Sequence, residues 1–285
     1  MAPAVGSALG SEVAHVRRLG GGDVAESFRM DLSDGFTVFA KTHRNPPPGF
    51  FTTEATGLGW LRETGTANVP EVLAVLDGTD EEPPMLVLEW IDVGGRAGDT
   101  EAGLGRELAA LHSTPWSCFG RPDGRTTGSR GLPNDVHGTW AESYRSNRLL
   151  PLARLSRDSG VLTESVVADL EGVAGRLEEL AGEAEPPSLL HGDLWAGNRL
   201  VDADGRSWLI DPAAHGGHRE FDLAMMRLFG GFGADCFDAY EEAFPLADGW
   251  RERVELHQLA PLVVHAIKFG GSYVPAATTA VRRYC

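Results

Sequence analysis

The chain has 285 residues, of which 42% are hydrophobic and 23% are charged, a composition typical of globular proteins with a sizeable core. Its 25 Lys and Arg residues stand against 41 Asp and Glu residues, and the net charge of −16 disfavours nucleic acid or an anionic membrane as a partner. The three cysteines form no CxxC pair, no apolar run reaches the roughly 18 residues that span a membrane, and no signal peptide is expected. We therefore expect a cytoplasmic location, and the sequence carries no signal of an oligomeric state.

The first third of the chain predicts a small antiparallel sheet with one main helix. Ser27–Leu32 and Phe36–Lys41 flank a short Ser-Asp-Gly turn, which indicates a hairpin. After a proline-rich loop, Glu54, Leu58 and Leu61 recur at helical spacing. Two further apolar runs predict strands, Val69–Leu76 and Met85–Ile91.

Helical patterns dominate beyond the glycine-rich joint at Asp92–Asp99. The predicted helices are Thr100–His112, Thr139–Leu149, Leu162–Leu180, Asp222–Phe229 and Val254–Phe269. The only strand-like runs in this half lie between Leu189 and Ala213. We expect an α+β protein with a small sheet-rich lobe over residues 1–92 and a larger, mostly helical lobe over residues 93–285.

The stretch LLHGDLWAGNRLVDADGRSWLIDPA, residues 189–213, carries the main chemical motif. Asp193 and Asn198 form a D-x-x-x-x-N pattern, and Asp211 follows the second of two short apolar runs joined by a turn. If these runs pair as a hairpin, Asn198 and Asp211 meet at one end and offer an amide oxygen and a carboxylate to Mg²⁺. Asp193 can accept a proton from a substrate hydroxyl. This is the arrangement of the protein-kinase catalytic loop, and it indicates phosphoryl transfer.

Phosphoryl transfer requires further parts, and candidates for them occur in the expected order. The glycines Gly20, Gly21 and Gly22 precede the first hairpin strand and allow a backbone to approach the phosphates of ATP. Lys41 ends a strand, and Glu54 lies near the start of the next helix. A strand lysine paired with a helix carboxylate orients the phosphates in kinases.

The run MLVLEWID then leads into the glycine-rich joint between the lobes. We expect the main chain around Glu89, Trp90 and Ile91 to face the adenine of ATP. A glycine run or an HGD triplet alone would indicate only a loop or a turn. The agreement of all these parts in order predicts a kinase that uses ATP and Mg²⁺.

Several segments together resemble one known family. HGDLWAGN followed by DPA, with GHREFDLAMM, VLEWID and ELAALH, is similar to the fructosamine kinase (ketosamine kinase) family from about Val13 to Tyr284. The resemblance implies a two-lobed protein-kinase-like fold. It also implies ATP-dependent phosphorylation of the sugar hydroxyl, typically the 3-hydroxyl, of ketosamines such as ribulosamines or fructosamines, a deglycation-type repair activity. The acceptor would be a small-molecule or protein-linked ketosamine.

The resemblance also implies residue roles on the acceptor side. Trp195 and His215 would flank the acceptor pocket, although core packing is an equal alternative for Trp195. Asp222 lies in the family's HxEFDLA-like stretch, and we favour an N-cap role for it at the helix that follows. The segment RPDGRTTGSRG, residues 121–131, departs from the family pattern because it is polar and glycine-rich, which leaves the acceptor open.

Three alternatives remain at this point. The chain could be a kinase of the aminoglycoside or choline phosphotransferase type, against which Trp195 in the catalytic loop argues. It could be a nucleotide-binding protein without catalysis, although such a protein needs no base. Metal-dependent hydrolysis is suggested by His191, Asp193, His215 and His218, but they lack the i, i+4 helical spacing of zinc proteases. We expect His191 to be a partnered core histidine that stabilises the loop.

Overall fold

The structure is a computed structural model that describes residues 1–20, 25–79, 82–95, 98–128 and 130–285. Its first part contains helix α1 (Ala2–Leu9), strands β1 (Val13–Leu19), β2 (Glu26–Leu32) and β3 (Thr37–Thr42), helix α2 (Phe50–Glu63), and strands β4 (Val72–Leu76) and β5 (Met85–Glu89). The five strands form one antiparallel sheet in the order β1-β2-β3-β5-β4.

Both faces of this sheet are covered at its centre. In β5, Met85 and Val87 pack with Val5 of α1, whereas Leu86 and Leu88 join a second cluster that includes the apolar residues of α2. Because successive side chains of a strand point to opposite faces, a strand buried on both sides needs an unbroken apolar run. The sequence MLVL meets that requirement.

The described residues of the second part of the chain form further α-helices, a 3₁₀ turn at Ala196–Asn198 and four short strands. The helices are α3 (Thr100–Ser113), α4 (Trp140–Tyr144), α5 (Leu150–Ser159), α6 (Glu164–Gly175), α7 (Leu177–Leu180), α8 (Glu220–Phe229), α9 (Ala234–Ala243), α10 (Trp250–Phe269) and α11 (Tyr273–Arg282). The strands are β6 (Ser188–Leu190), β7 (Arg199–Val201), β8 (Ser207–Leu209) and β9 (His215–Gly217). They form two antiparallel pairs, β6 with β9 and β7 with β8.

This architecture confirms the predicted α+β fold with an N-terminal sheet and a larger helical part. One apolar cluster joins the two parts, since it contains Leu58 of α2, Leu108 of α3 and Leu194 of the loop before β7. Within the described ranges, no helix combines the length and apolar character needed to cross a membrane.

Several boundaries differ from the sequence prediction. Strand β1 was not predicted, because its side chains are mostly exposed at the sheet edge and show no apolar pattern. The predicted helix at 162–180 breaks at Arg176 into α6 and α7. Strand β9, His-Gly-Gly, carries no strand signal of its own and forms by pairing with β6 and, at Gly216, with Gly120.

The predicted helix at 139–149 consists of α4 and one turn of π-helix, Arg145–Leu149. Pro151 has no N–H to donate to the carbonyl of Asn147, so the regular helical ladder cannot continue through this turn. The side chain of Arg148 donates to that carbonyl instead, at 3.0 Å. A missing backbone donor is thus replaced by a side-chain donor.

Helices α3 and α9 pack closely enough to exclude a side chain at Gly105, where a Cβ atom would lie 2.1 Å from the carbonyl oxygen of Cys236. We expect Gly105→Ala to lower the free energy of unfolding by about 1–3 kcal/mol, because the two helices must separate. Gly103→Ala on the same helix is the matched control, since a Cβ there meets nothing within 4 Å. That variant should gain up to about 1 kcal/mol from helix propensity. Equal changes in urea denaturation of both variants would contradict the packing argument.

Candidate active site

The motif stretch forms the hairpin that its two apolar runs predicted. Strands β7 and β8 pair with Arg199 opposite Leu209, and the N–H of Ile210 donates to the carbonyl of Asn198 at 2.9 Å. The side chain of Asp202 holds the turn by accepting hydrogen bonds from Trp208 Nε1, from the side chain of Arg206 and from nearby backbone N–H groups. Asn198 and Asp211 therefore lie at the same end of the hairpin.

Asp193 lies next to Asn198 at this end. Asn198 Nδ2 donates to the carbonyl of Asp193 at 2.8 Å and to its Oδ2 at 3.2 Å. Burial raises the pKa of Asp193 to about 7, and the nearby carboxylates of Asp211 and Asp222 act in the same direction, whereas Asn198 and Lys268 oppose the shift. A carboxylate with a pKa near neutral pH is well suited to accept a proton.

Lys41 is shared between two carboxylates from different parts of the chain. Its Nζ lies 2.5 Å from Glu54 Oε1 on α2 and 2.7 Å from Asp211 Oδ1 after β8. The lysine is only 5% exposed, so its charge needs such partners, and their attraction raises its pKa against the opposing effect of burial. The Lys41–Glu54 contact predicted from the sequence is present.

Asp211 adopts an unusual backbone conformation. Its φ of +54° lies in the left-handed region, which Asp tolerates better than most residues. The side chain is 48% exposed although one oxygen contacts Lys41. With its Nδ2 donating to Asp193, Asn198 retains Oδ1 as the ligand atom of its amide. A half-exposed carboxylate and an amide oxygen at one hairpin end match the oxygen donors that Mg²⁺ takes.

Asp222 does not cap a helix, contrary to the sequence prediction. Helix α8 begins two residues earlier at Glu220, and the Asp222 carboxylate accepts hydrogen bonds from the backbone N–H groups of His191 at 2.7 Å and Gly192 at 2.9 Å. His112 Nε2 lies 3.3 Å from the same carboxylate. Asp222 thus fixes the backbone of the loop that carries the predicted base. Sequence reasoning missed this because the partners lie about 30 residues upstream.

His191 lies in the interior as a partnered core histidine. Its Nδ1 accepts from the N–H of Asp193 at 3.3 Å, so its Nε2 carries the proton and donates to the carbonyl of Ile210 at 3.0 Å. Burial lowers the pKa of the ring, which stays neutral. The histidine therefore connects the loop to the end of the hairpin, as the sequence analysis expected.

The described residues among those predicted on the nucleotide side lie in the sheet or next to it. Gly20 is exposed at the end of β1, whereas Gly21 and Gly22 lie outside the described residues. Strand β5 ends at Glu89, whose N–H donates to the carbonyl of Glu71 at 3.0 Å. The backbone donors available to adenine would therefore come from the residues that follow Glu89.

Trp90 and Ile91 follow directly in the connection to the helical part. Ile91 is buried, and Trp90 donates from Nε1 to Asp92 at 2.9 Å while the guanidinium of Arg29 lies 5.0 Å from its ring. These contacts fix both side chains, so a role for this segment in binding adenine would involve its main chain.

The two residues predicted on the acceptor side differ in exposure. Trp195 is 41% exposed, and its ring lies across Gly197 and meets Phe229 edge-on. His215 is 8% exposed in β9, where its Nδ1 lies 2.8 Å from the carbonyl of Ala213. The open aromatic face is that of Trp195, whereas His215 is buried and lines a small cavity with Trp140, Arg148 and Phe221. Burial lowers the pKa of His215 to about 3, so that ring is neutral.

The four residues considered for metal-dependent hydrolysis do not form a metal-like group. Among the described residues, the one group of three with metal-binding geometry comprises His218, Glu220 and His257. Arg253 contacts both carboxylate oxygens of Glu220, at 2.5 and 2.9 Å. A guanidinium that already occupies both oxygens disfavours a bound cation there.

The fold and this arrangement of residues define a class, that of phosphotransferases with a protein-kinase-like fold. The sequence model of the fructosamine kinase family matches residues 4–285, nearly the whole chain. The chain therefore belongs to the fructosamine kinase family and is a ketosamine kinase by class, which confirms the predicted resemblance.

Individual relatives agree with this assignment. A Lactiplantibacillus plantarum protein named “Probable ketoamine kinase” is 32% identical over 96% of this chain and 95% of its own length. A chloroplastic protein-ribulosamine 3-kinase from Arabidopsis thaliana is 31% identical over 96% of this chain and 83% of its own length.

Solved structures show the same fold. A candidate fructosamine-3-kinase from Thermobifida fusca is 39% identical with a TM-score of 0.89, covering 100% of this chain and 98% of the other. An aminoglycoside phosphotransferase solved with ADP and hygromycin B is 15% identical with a TM-score of 0.64, covering 100% of this chain and 98% of the other, and shows the fold alone.

The hydrogen bonds of Asp222 predict a specific loss. In Asp222→Asn, an amide NH₂ replaces one acceptor oxygen and faces backbone donors, so the loop loses part of its support. We expect turnover to fall by about 10- to 100-fold, the scale seen when groups that orient reactive residues are changed. Hydrogen exchange at His191 and Gly192 should rise. Asp238→Asn on the exposed face of α9 is the control, and equal exchange in both variants would contradict this role.

Proposed function

We propose that this protein transfers the γ-phosphoryl group of ATP, with Mg²⁺, to a sugar hydroxyl of ketosamines such as ribulosamines or fructosamines, typically the 3-hydroxyl. The observation that carries the proposal is the meeting of Lys41, Asp211, Asn198 and Asp193 at one end of a hairpin in a chain of this family. The product would then release its amine, which makes the activity a repair of glycated amines.

Each residue has a role that follows from its position. Lys41 contacts the ATP phosphates, and Glu54 holds its ammonium group in place. Asp211 and Asn198 would hold Mg²⁺, which neutralises phosphate charge when it is bound. Asp193 orients the acceptor hydroxyl and accepts its proton as the new P–O bond forms and the bond to ADP breaks.

The lobe division at residues 92 and 93 belongs to the same proposal. Residues 1–92 would bind the nucleotide through the glycine loop, Lys41 and the connection after β5. Residues 93–285 would bind the acceptor, with the open face of Trp195 packed against the sugar. Aromatic faces pack well on sugar rings because they bury apolar C–H groups while leaving the hydroxyls free.

A kinase for another hydroxylated small molecule is the second candidate, favoured by the fold shared with the aminoglycoside phosphotransferase. A protein without catalysis is less well supported, because binding alone does not require a carboxylate poised near neutral pH. The deciding experiment measures Mg²⁺-dependent ATP consumption with ribulosyl-lysine, fructosyl-lysine, an aminoglycoside and no acceptor. Turnover with an aminoglycoside only would replace the proposal.

Replacement of the proposed base should separate chemistry from binding. Asp193→Asn keeps the shape of the side chain but cannot accept the proton, so kcat should fall by roughly 10²–10⁴-fold. The affinity for Mg·ATP, measured by calorimetry, should stay within a few-fold of wild type because Asp193 contacts the acceptor. Near wild-type turnover would exclude Asp193 as the base.

Removal of the proposed metal ligand should weaken nucleotide binding, which Asp193→Asn is expected to leave nearly unchanged. Asp211→Ala deletes the charged ligand, so Mg²⁺ should no longer strengthen the binding of AMP-PNP measured by calorimetry with and without the ion. Asp204→Ala is the matched control, since Asp204 is exposed at the far turn of the same hairpin and pairs with Arg206. If Asp211→Ala kept the full effect of Mg²⁺, the metal assignment would be wrong.

A further inference from the structure

Arg121 is a completely buried arginine at the start of the polar segment that departs from the family pattern. Its backbone is anchored in the helical part of the protein. Its N–H donates to the carbonyl of Asn134 at 2.8 Å, and the preceding Gly120 exchanges two hydrogen bonds with Gly216 of β9, at 2.7 and 2.8 Å. The starting point of this side chain is therefore fixed.

The side chain extends from there to α2 beside the sheet. Its guanidinium lies 4.2 Å from the centroid of the Trp60 ring on α2, and Nη2 lies 3.4 Å from the carbonyl oxygen of Thr53 on the same helix. Nη1 donates to the carbonyl of Ala214 at 2.6 Å, in the loop that follows Asp211. One side chain thus contacts two elements that meet at the proposed site.

Asp123 neutralises the buried charge. Arg121 Nε and Nη2 donate to its two carboxylate oxygens at 2.9 and 2.8 Å. A guanidinium buried without a carboxylate would be costly, whereas a two-point pair with further hydrogen bonds is sustained in the interior. The ion pair with Asp123 therefore allows the rigid guanidinium of Arg121 to lie buried between α2 and the loop after β8.

The contacts of Arg121 lie beside the carboxylates that hold Lys41. Thr53 directly precedes Glu54, and Ala214 lies three residues after Asp211. The two elements also pack closely here, because a Cβ at Gly57 would lie 3.0 Å from the Cβ of Ala214. A shift of α2 away from the loop would therefore move Glu54 relative to Asp211.

We propose that Arg121 is a positioning residue that fastens α2 to the loop after β8 and so keeps the Lys41–Glu54 pair and Asp211 assembled before nucleotide binds. The inference rests on the proposed function for the roles of Lys41 and Asp211. Its consequence is that ATP meets a formed site. If the assembled state became a minor state, the apparent affinity would fall in proportion to its population.

The test compares Arg121→Met with Arg125→Met. Arg125 is the matched control because it also lies near Asp123, at 3.6 Å, but is 43% exposed, and its guanidinium lies beside Gly49 just before α2 rather than beside Ala214. In Arg121→Met, amide exchange in α2 should rise without nucleotide and return to the wild-type level with saturating Mg·AMP-PNP. The affinity for Mg·AMP-PNP should fall about tenfold, as expected if about one molecule in ten remains assembled. Wild type and Arg125→Met should show little nucleotide dependence in α2.

Gly57→Ala provides a second test that leaves the arginine and its charge in place. The added methyl group should separate α2 from the loop by a few tenths of an ångström, while alanine favours the helix. We expect weaker Mg·AMP-PNP binding without a lower melting temperature. Unchanged α2 exchange in Arg121→Met, or equal effects in Arg125→Met, would overturn the proposal. If Arg121→Met does not fold, wild-type nucleotide affinity in Gly57→Ala would overturn it.

None of these measurements uses a ketosamine. If the protein does not phosphorylate ketosamines, the coupling between α2 and the loop can still be measured. If the coupling is absent, ketosamine turnover can still be measured.

Discussion

The site depends on one buried lysine that two carboxylates share. Lys41 is almost without solvent, so its ammonium group is stable only where Glu54 and Asp211 both reach it. These three residues come from a strand of the sheet, the helix behind it and the loop after the second hairpin. Both carboxylates must lie within hydrogen-bonding distance of the Lys41 ammonium group. This requires the observed pairing of β3, the observed orientation of α2 and the left-handed backbone at Asp211. The lysine links the two parts of the chain through its ion pairs. The apolar cluster that contains Leu58, Leu108 and Leu194 links them by packing.

Three carboxylates near the loop are stabilised in three different ways, and the differences indicate their roles. Asp222 accepts two backbone N–H groups, and a hydrogen bond with His112 helps to keep its pKa low despite burial. Asp211 faces a lysine. Asp193 has an amide donor from Asn198, which is not enough to offset burial, and its pKa rises to about 7. Asp193 can therefore exchange a proton near neutral pH.

Local pattern was sufficient for the parts of the fold and site that lie on regular elements. The spacing of Asp193, Asn198 and Asp211 around two apolar runs predicted their juxtaposition, because a hairpin brings residues close in sequence together. Strand β9 and the role of Asp222 could not be predicted in this way. Both depend on partners about 30 residues upstream, and neither HGG nor an Asp near a helix start carries a signal of those partners.

Some polar residues of the segment at 121–131, which departs from the family pattern, form hydrogen bonds inside the protein. Its first residue is bound between α2 and the loop after β8, and Asn134 donates from Nδ2 to the carbonyl of Arg125 and to Thr127 Oγ1 while its Oδ1 accepts from Arg148. Hydrogen bonds inside the protein thus engage the side chains of Arg121, Asp123 and Thr127, whereas Arg125, Thr126 and Arg130 are exposed. The segment's influence on catalysis would pass through Arg121, by way of the helix that carries Glu54.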